Sequence, residues 1–204
     1  MSCGSKQVAT VRNAHVPSSF VLKKLEERGR LQFFFHSPSS KLPVRDVRNE
    51  QRRGAKTEPH LEEAAENYCA RCYQRNSIVP FLRSDEKYLF LFTTAKRRER
   101  RYRNKRFIVG YIVKRKAIRR TDGTKKWWAV SGPTKMYYFK DAVPLASLIR
   151  NPMKIRVLGL DPERTAKVLQ RLRKGRNILR KCLAELKRLR RQPNKSHQRK
   201  RTCK

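Results

Sequence analysis

Charge of one sign constrains this chain more than any other feature of its sequence. Fifty-three lysines and arginines face 16 acids, a formal net charge of +37 over 204 residues. A compact body with that excess repels itself, and each added charge costs stability. A polyanionic partner relieves the cost. Nucleic acid is the foremost one, because each phosphate neutralised releases condensed counterions. Hydrophobic residues make up 38% of the chain, against the about 45–50% of ordinary globular domains. Nine Phe, seven Tyr and two Trp, several of them in dense apolar runs, still predict a real core. The expectation is a folded centre with basic, partly extended arms.

No run of about 18 apolar residues occurs, so no membrane-spanning helix is expected. Met1-Ser2-Cys3-Gly4-Ser5 lacks the apolar stretch of a signal peptide, and the chain reads as intracellular, in cytoplasm, nucleoid or nucleus. Five cysteines without a secretion signal do not suggest a disulfide framework.

Along the chain, Ser18 and Ser19 cap a helix that Gly29 would stop, and Leu31 to Phe35 reads as a buried strand. Ser37 to Lys41 is a loop, and Pro43 to Pro59 an extended polar connector. Pro59 to Tyr73 reads as a helix, with Leu61, Ala64, Ala65 and Tyr68 on one face. Ile78 to Leu82 reads as an edge strand, since it contains Pro80. Tyr88 to Thr94 and Phe107 to Val113 are the strongest strands, with Gly110 at a bulge or close contact. Asp122-Gly123 predicts a hairpin turn before a strand over Lys125 to Val130. Ser131-Gly132-Pro133 is a turn, Met136 to Phe139 a strand, Asp141 to Ile149 a short helix, and Ile155 to Leu158 a last strand. Asp161-Pro162-Glu163 opens one long basic helix, which Gly175 can kink, and a basic tail follows Gln192. Three segments result: 1–58, an α+β core over 59–158, and a helix with tail over 159–204.

Four or five strands between Ile78 and Phe139 suggest a small, strongly bent β-sheet or barrel flanked by helices, an α+β fold. The run Tyr88-Leu89-Phe90-Leu91-Phe92-Thr93-Thr94, a basic loop, then Ile108-Val109-Gly110-Tyr111-Ile112-Val113 resembles the PUA-like superfamily, which includes the EVE and YTH domains. Trp127-Trp128-Ala129-Val130 and Tyr137-Tyr138-Phe139 look like its later barrel strands. The resemblance covers roughly residues 76–150. It implies RNA or modified-base binding, with Trp127, Trp128, Tyr137 and Tyr138 as pocket candidates. The basic loop and the C-terminal helix depart from that family pattern.

Four constellations carry chemistry. The first is the loop Lys96, Arg97, Arg98, Arg100, Arg101, Arg103, Lys105 and Arg106, with Tyr102 inside it. Arginine pairs bidentately with phosphate, and a tyrosine there can stack on a base; the plain alternative is a solvated loop. Lys114, Lys116, Arg119 and Arg120 continue that surface. The second is the C-terminal helix, whose candidates are Arg176, Arg180, Arg188 and Arg191. It can present its arginine face to a duplex groove or serve as a partner helix. The third is Cys69-Ala70-Arg71-Cys72, a spacing that zinc sites use, but without a second pair it reads as two ordinary thiols, and no metal or other cofactor is expected. The fourth is Trp127 and Trp128, which as neighbours in a strand point to opposite faces; core packing competes with stacking for both. The acids are scattered and no nucleophile–base spacing stands out, so no enzyme is expected.

The sequence thus describes a nucleic-acid-binding protein, RNA before DNA, that draws affinity from phosphates and any specificity from RNA shape or a pocket. A structural component of the ribosome or another ribonucleoprotein, a DNA-compacting protein and a nucleic-acid-processing enzyme remain open alternatives.

Overall fold

The run Tyr88-Leu89-Phe90-Leu91-Phe92 is apolar at every position, so a strand built from it needs cover on both faces. A computed structural model describes residues 27–46, 60–64, 67–73, 78–95, 101–122, 125–155 and 157–191, and gives this run that cover. The elements are β1 (Gly29–Phe33), β2 (His60–Ala64), β3 (Asn67–Tyr73), α1 (Ile78–Arg83), β4 (Tyr88–Thr94), β5 (Arg106–Val113), β6 (Lys116–Asp122), β7 (Lys125–Ser131), β8 (Thr134–Met136), β9 (Val143–Pro144), β10 (Val157–Leu160), α2 (Pro162–Leu172) and α3 (Leu179–Arg191).

A six-stranded sheet runs in the order β10-β1-β4-β5-β8, with β9 also on β5. β1 and β4 are parallel, and the other pairs are antiparallel. On one face Tyr88, Phe90 and Phe92 join Leu31, Phe33, Val168, Leu169 and Leu172, so α2 covers it. On the other, Leu89 and Leu91 join Phe81, Phe139, Leu179, Leu183 and Leu186, so α3 covers that. Side chains two apart share a face, as a strand requires.

β5 breaks that rule, and a bulge explains why. Leu91 pairs with Gly110 and Phe92 with Ile108, leaving Val109 as the extra residue. One extra residue shifts the parity. Ile108 and Tyr111 therefore lie on the α2 side, and Val109 and Ile112 on the α3 side. At Gly110 a Cβ would stand 2.4 Å from the Lys135 carbonyl oxygen, so the close contact foreseen at this glycine is real.

A second sheet, β2-β3-β7-β6, is wholly antiparallel. One bent ribbon joins the two sheets. Ile112 pairs with Thr134 in the first and Lys116 with Ser131 in the second, and the Val113 amide donates to Pro133 between them at 2.9 Å. Gly132 sits at this bend, where a Cβ would stand 1.8 Å from the Val113 carbonyl oxygen.

Several expectations need correction. The six-stranded sheet ends at β10 on one side and β8 on the other, so it is open rather than a closed barrel. Gly29 opens β1 instead of stopping a helix, and residues 18–26 lie outside the described residues. Residues 60–64 and 67–73 form the β2–β3 hairpin in place of a helix. Ile78–Arg83 is helical rather than a strand, because Pro80 fits a first turn and Lys114 Nζ holds its last carbonyls, donating to Phe81 at 2.9 Å and Ser84 at 2.6 Å. The strand expected over Met136 to Phe139 is β8, ending at Met136, and Asp141 to Ile149 is β9 with a 3-10 turn. The last strand lies two residues later than expected, at Val157–Leu160. The long C-terminal helix is two helices on opposite faces of the sheet. Its start is as read: Asp161 Oδ1 accepts the Arg164 amide at 2.7 Å, with Pro162 in the first turn. Of the polar connector, Val44 and Arg45 are buried and His36 bridges to Arg45; residues 47–58 lie outside the described residues. The six-stranded sheet takes β1 from the first segment, and β10 straddles the boundary between the second and the third.

Gly132→Ala forces the two arms of the ribbon apart at the bend, because backbone is what its Cβ meets. We expect destabilisation by about 1–3 kcal/mol, the usual cost of overpacking, read as a lower urea midpoint with an unchanged denaturant slope.

Candidate nucleic-acid interface

The arginine-rich loop joins β4 to β5. Lys96, Arg97, Arg98 and Arg100 lie outside the described residues. The loop's base is closed by the Ala95 amide on the Lys105 carbonyl at 2.9 Å and the Asn104 amide on Ala95 at 3.1 Å. Asn104 takes the left-handed conformation, φ 59°, which asparagine tolerates better than most residues. Arg101, Arg103 and Lys105 are exposed. Tyr102 is not available to stack on a base: it is 7% exposed, sits in the core edge-on to Phe107, and has the Arg101 guanidinium 4.4 Å above its ring. Arg106 is also structural. Its Nη1 donates to Pro152 at 2.7 Å and to Ile155, and the guanidinium lies 5.0 Å over Phe33.

Lys114 likewise leaves the interface, since its ammonium caps α1. Burial lowers its pKa, opposed by the nearby Glu86 and Asp85 carboxylates. Lys116, Arg119 and Arg120 lie in β6 and Trp127 and Trp128 in β7; Arg119 is in register with Trp128 and Arg120 with Trp127. The side chains of these five are outside the described residues. Cys69 and Cys72 both lie in β3. Their side chains lie outside the described residues. Tyr137 is 1% exposed and belongs to the core, so it cannot line a pocket open to a base, whereas Tyr138 is half-buried.

Among the described residues, the strongest concentration of exposed cations is where the chain crosses from α2 to α3. The crossing runs along the edge strand β8 and is fastened to it. The Ile178 amide donates to the Met136 carbonyl at 2.8 Å, and Asn177 Oδ1 accepts the Met136 and Leu179 amides, each at 3.1 Å. Gly175 lets the crossing lie close, since a Cβ there would meet Tyr137 at 3.0 Å and Asp141 at 2.8 Å. Arg171, Arg173, Lys174, Arg176, Arg180 and Lys181 are all exposed along it, with Lys135 and Lys140 beside them. Lys181 Nζ donates to the Tyr138 hydroxyl at 3.0 Å, and Lys140 Nζ lies 6.0 Å from the same ring. A cleft of about 520 Å³ opens here, lined by Thr134, Arg176, Asn177, Ile178, Leu179, Arg180 and Lys181. Its lining carries three cations and no acid. Asn177 Oδ1 already serves two backbone amides, so its NH2 end is what remains to offer.

The outer face of α3 extends this ridge with exposed Arg180, Lys187 and Arg191. Arg188 is partly neutralised: Nε and Nη2 each donate to Glu185 at 2.7 Å. Of the residues singled out in the sequence, then, Arg176, Arg180, Arg188 and Arg191 share one ridge. Lys135, Lys140 and Asn177 were missed. They lie about forty residues from Lys181 or are uncharged, and only the pairing of β8 with the crossing brings them in. Comparison with models of known families, with curated proteins and with solved structures finds no match.

Tyr102→Ala is expected to destabilise the protein by about 3 kcal/mol, the cost of truncating a buried aromatic. Arg103→Ala is expected to change stability by less than about 0.5 kcal/mol; urea unfolding of both variants checks this. The hydrogen bonds from Arg188 hold the Glu185 carboxyl below its ordinary range, against a smaller opposing effect of burial. A depressed folded-state pKa stabilises above the normal carboxylate range, and the contribution vanishes as pH falls through the depressed value. Glu185→Gln should therefore lower the melting temperature at neutral pH and leave it equal to the parent's in strong acid.

Proposed function

We propose that this protein binds nucleic acid, RNA before DNA, chiefly through phosphates. The observation that carries this reading is the ridge over the α2–α3 crossing. Its cations are exposed, no acid occurs from residue 164 to residue 184, and Asp141 and Glu185 are half-buried. Guanidinium forks suit phosphate oxygens, and a cleft whose polar lining is dominated by donors suits an anion. The exposed Arg101, Arg103 and Lys105 supply a second binding region. The preference for RNA rests on the PUA-like resemblance of the β4 and β5 sequences, and the affinity does not depend on a base pocket of that kind. A second reading, a component of a ribonucleoprotein particle, is favoured by the spread of exposed cations over α2, the crossing, α3 and the loop, which suits burial in folded RNA.

Fluorescence anisotropy of the full chain with labelled RNA across a salt series tests the proposal. The logarithm of affinity is expected to fall linearly with the logarithm of salt. The triple variant Arg176→Ala, Arg180→Ala, Lys181→Ala should flatten that slope by about 2, since each phosphate left without its cation reduces it by about 0.7–0.9. Absence of binding, or binding indifferent to salt, would sink the proposal. Co-sedimentation with a ribonucleoprotein particle at high salt would favour the second reading.

A further inference from the structure

We infer that the ridge over the α2–α3 crossing takes a double-helical phosphate backbone rather than an unpaired strand. The inference rests on the phosphate-binding reading above and names the ligand class of that surface. Proteins that hold single strands combine a basic track with aromatic rings on which bases stack. Among the described residues the ridge has the cations but no exposed ring. Every described aromatic side chain is buried except Phe35 and Tyr138, which are half-buried. Phe35 packs edge-on against Phe33, 5.0 Å between centroids, in the core layer under α2. Tyr138 has its hydroxyl bonded to Lys181 and ammonium groups of Lys181 and Lys140 about its ring, 5.8 and 6.0 Å from the centroid. A stacked base would have to displace those cations.

The cations themselves favour a rigid partner. Lys181 is held by Tyr138, and Arg171 Nη1 donates to Ser147 Oγ at 2.8 Å. Arg180, Lys187 and Arg191 stand on the outer face of one thirteen-residue helix. At about 1.5 Å of rise per residue, that row is about 16 Å long. Fixed cations gain most from phosphates that are themselves fixed, and a duplex presents about one charge per 1.7 Å of axis, twice the density of one strand. Ala184 lies between Arg180 and Lys187, exposed and small, leaving the middle of the row open to close approach.

The test measures affinity of the full chain for four oligonucleotides of one length at one salt concentration: duplex RNA, duplex DNA, and the unstructured single strand of each. We expect duplexes to bind at least about tenfold more tightly than single strands, given the doubled charge density. The Arg176→Glu, Arg180→Glu, Lys181→Glu variant should abolish that advantage while still unfolding in one cooperative thermal transition. Lys187→Glu, on a separate turn of the exposed face, is a second variant that should reduce it. Equal affinity for the two duplexes supports a duplex backbone as the ligand and removes the RNA preference. Single strands bound as tightly as duplexes overturn the inference but leave nucleic-acid binding intact, the more so if Trp127→Ala or Trp128→Ala abolishes that binding. No binding to any of the four overturns the proposed function itself.

Discussion

The burial of β4 on both faces is the constraint from which the rest of the structure follows. Tyr88, Phe90 and Phe92 need one cover, and Leu89 and Leu91 need another. The C-terminal segment supplies both covers, α2 for the first and α3 for the second. A chain that covers both faces of a sheet must pass around its edge. Here it passes along β8, and the passage is stitched by the Ile178 amide and the Asn177 side chain. The surface where the cations gather is thus a by-product of how the sheet is covered. Gly175 and the bulge at Val109 are small adjustments that let the crossing lie close and keep both layers of β5 apolar.

A chain with so few acids cannot balance its surface, and the fold uses them elsewhere. Glu86 is 6% exposed and accepts Arg30 at 2.7 Å and Ser84 at 2.8 Å. Glu27 accepts the Tyr88 hydroxyl at 2.6 Å and pairs with Lys87, and burial with that carboxylate raises the Tyr88 pKa. Asp161 caps α2 and Glu185 holds Arg188 on α3. Two cations are in turn absorbed by backbone carbonyls, Arg106 at a second 3-10 turn, Pro152–Lys154, and Lys114 at the end of α1. The contacts of Glu86, Glu27, Arg106 and Lys114 tie elements together, whereas the Asp161 cap and the Glu185–Arg188 pair are local to their helices. Among the described residues the exposed acids are then Asp85, Asp161 and Glu163, far fewer than the exposed cations, and that is the physical basis for expecting an anionic partner.

The strands at the centre were legible in the sequence because their signal is redundant. β4 is an unbroken run of aromatic, leucine and threonine residues and the Phe107–Val113 part of β5 is aromatic or β-branched except at Gly110, and the Asp161-Pro162-Glu163 start of α2 is a capping pattern that acts locally. The failures share one cause, which is tertiary override. Leu61, Ala64, Ala65 and Tyr68 fit a helical face, and the residues between β2 and β3, Ala65 and Glu66, include no glycine or asparagine to announce a hairpin. Ile78 and Val79 favour a strand by propensity, yet the lysine that caps α1 is over thirty residues away. Leu172 and Leu179 are seven residues apart, which is in phase for one continuous helix, so nothing but Gly175 hinted that the two leucines face different layers. The site was half legible. Charge density named Arg176 and Arg180, whereas Lys135, Lys140 and Asn177 become neighbours only through pairing. Tyr102 and Tyr137 looked like binding aromatics because a sequence does not distinguish a core ring from a surface one.

The crossing resolves two problems with one piece of chain. An open sheet leaves an edge strand whose unpaired backbone groups invite another strand, a hazard that proteins counter by covering the edge or charging it. The crossing does both at β8. It takes the Met136 amide and carbonyl for its own hydrogen bonds, and it presents Arg173, Lys174 and Arg176 outward. Two copies of this edge therefore repel each other, and the same repulsion is an attraction for a polyanion. A surface that guards against self-association and one that binds phosphates require the same residues here. Charge there can serve binding without weakening the core, because the leucines that hold α2 and α3 to the sheet lie on the opposite sides of those helices.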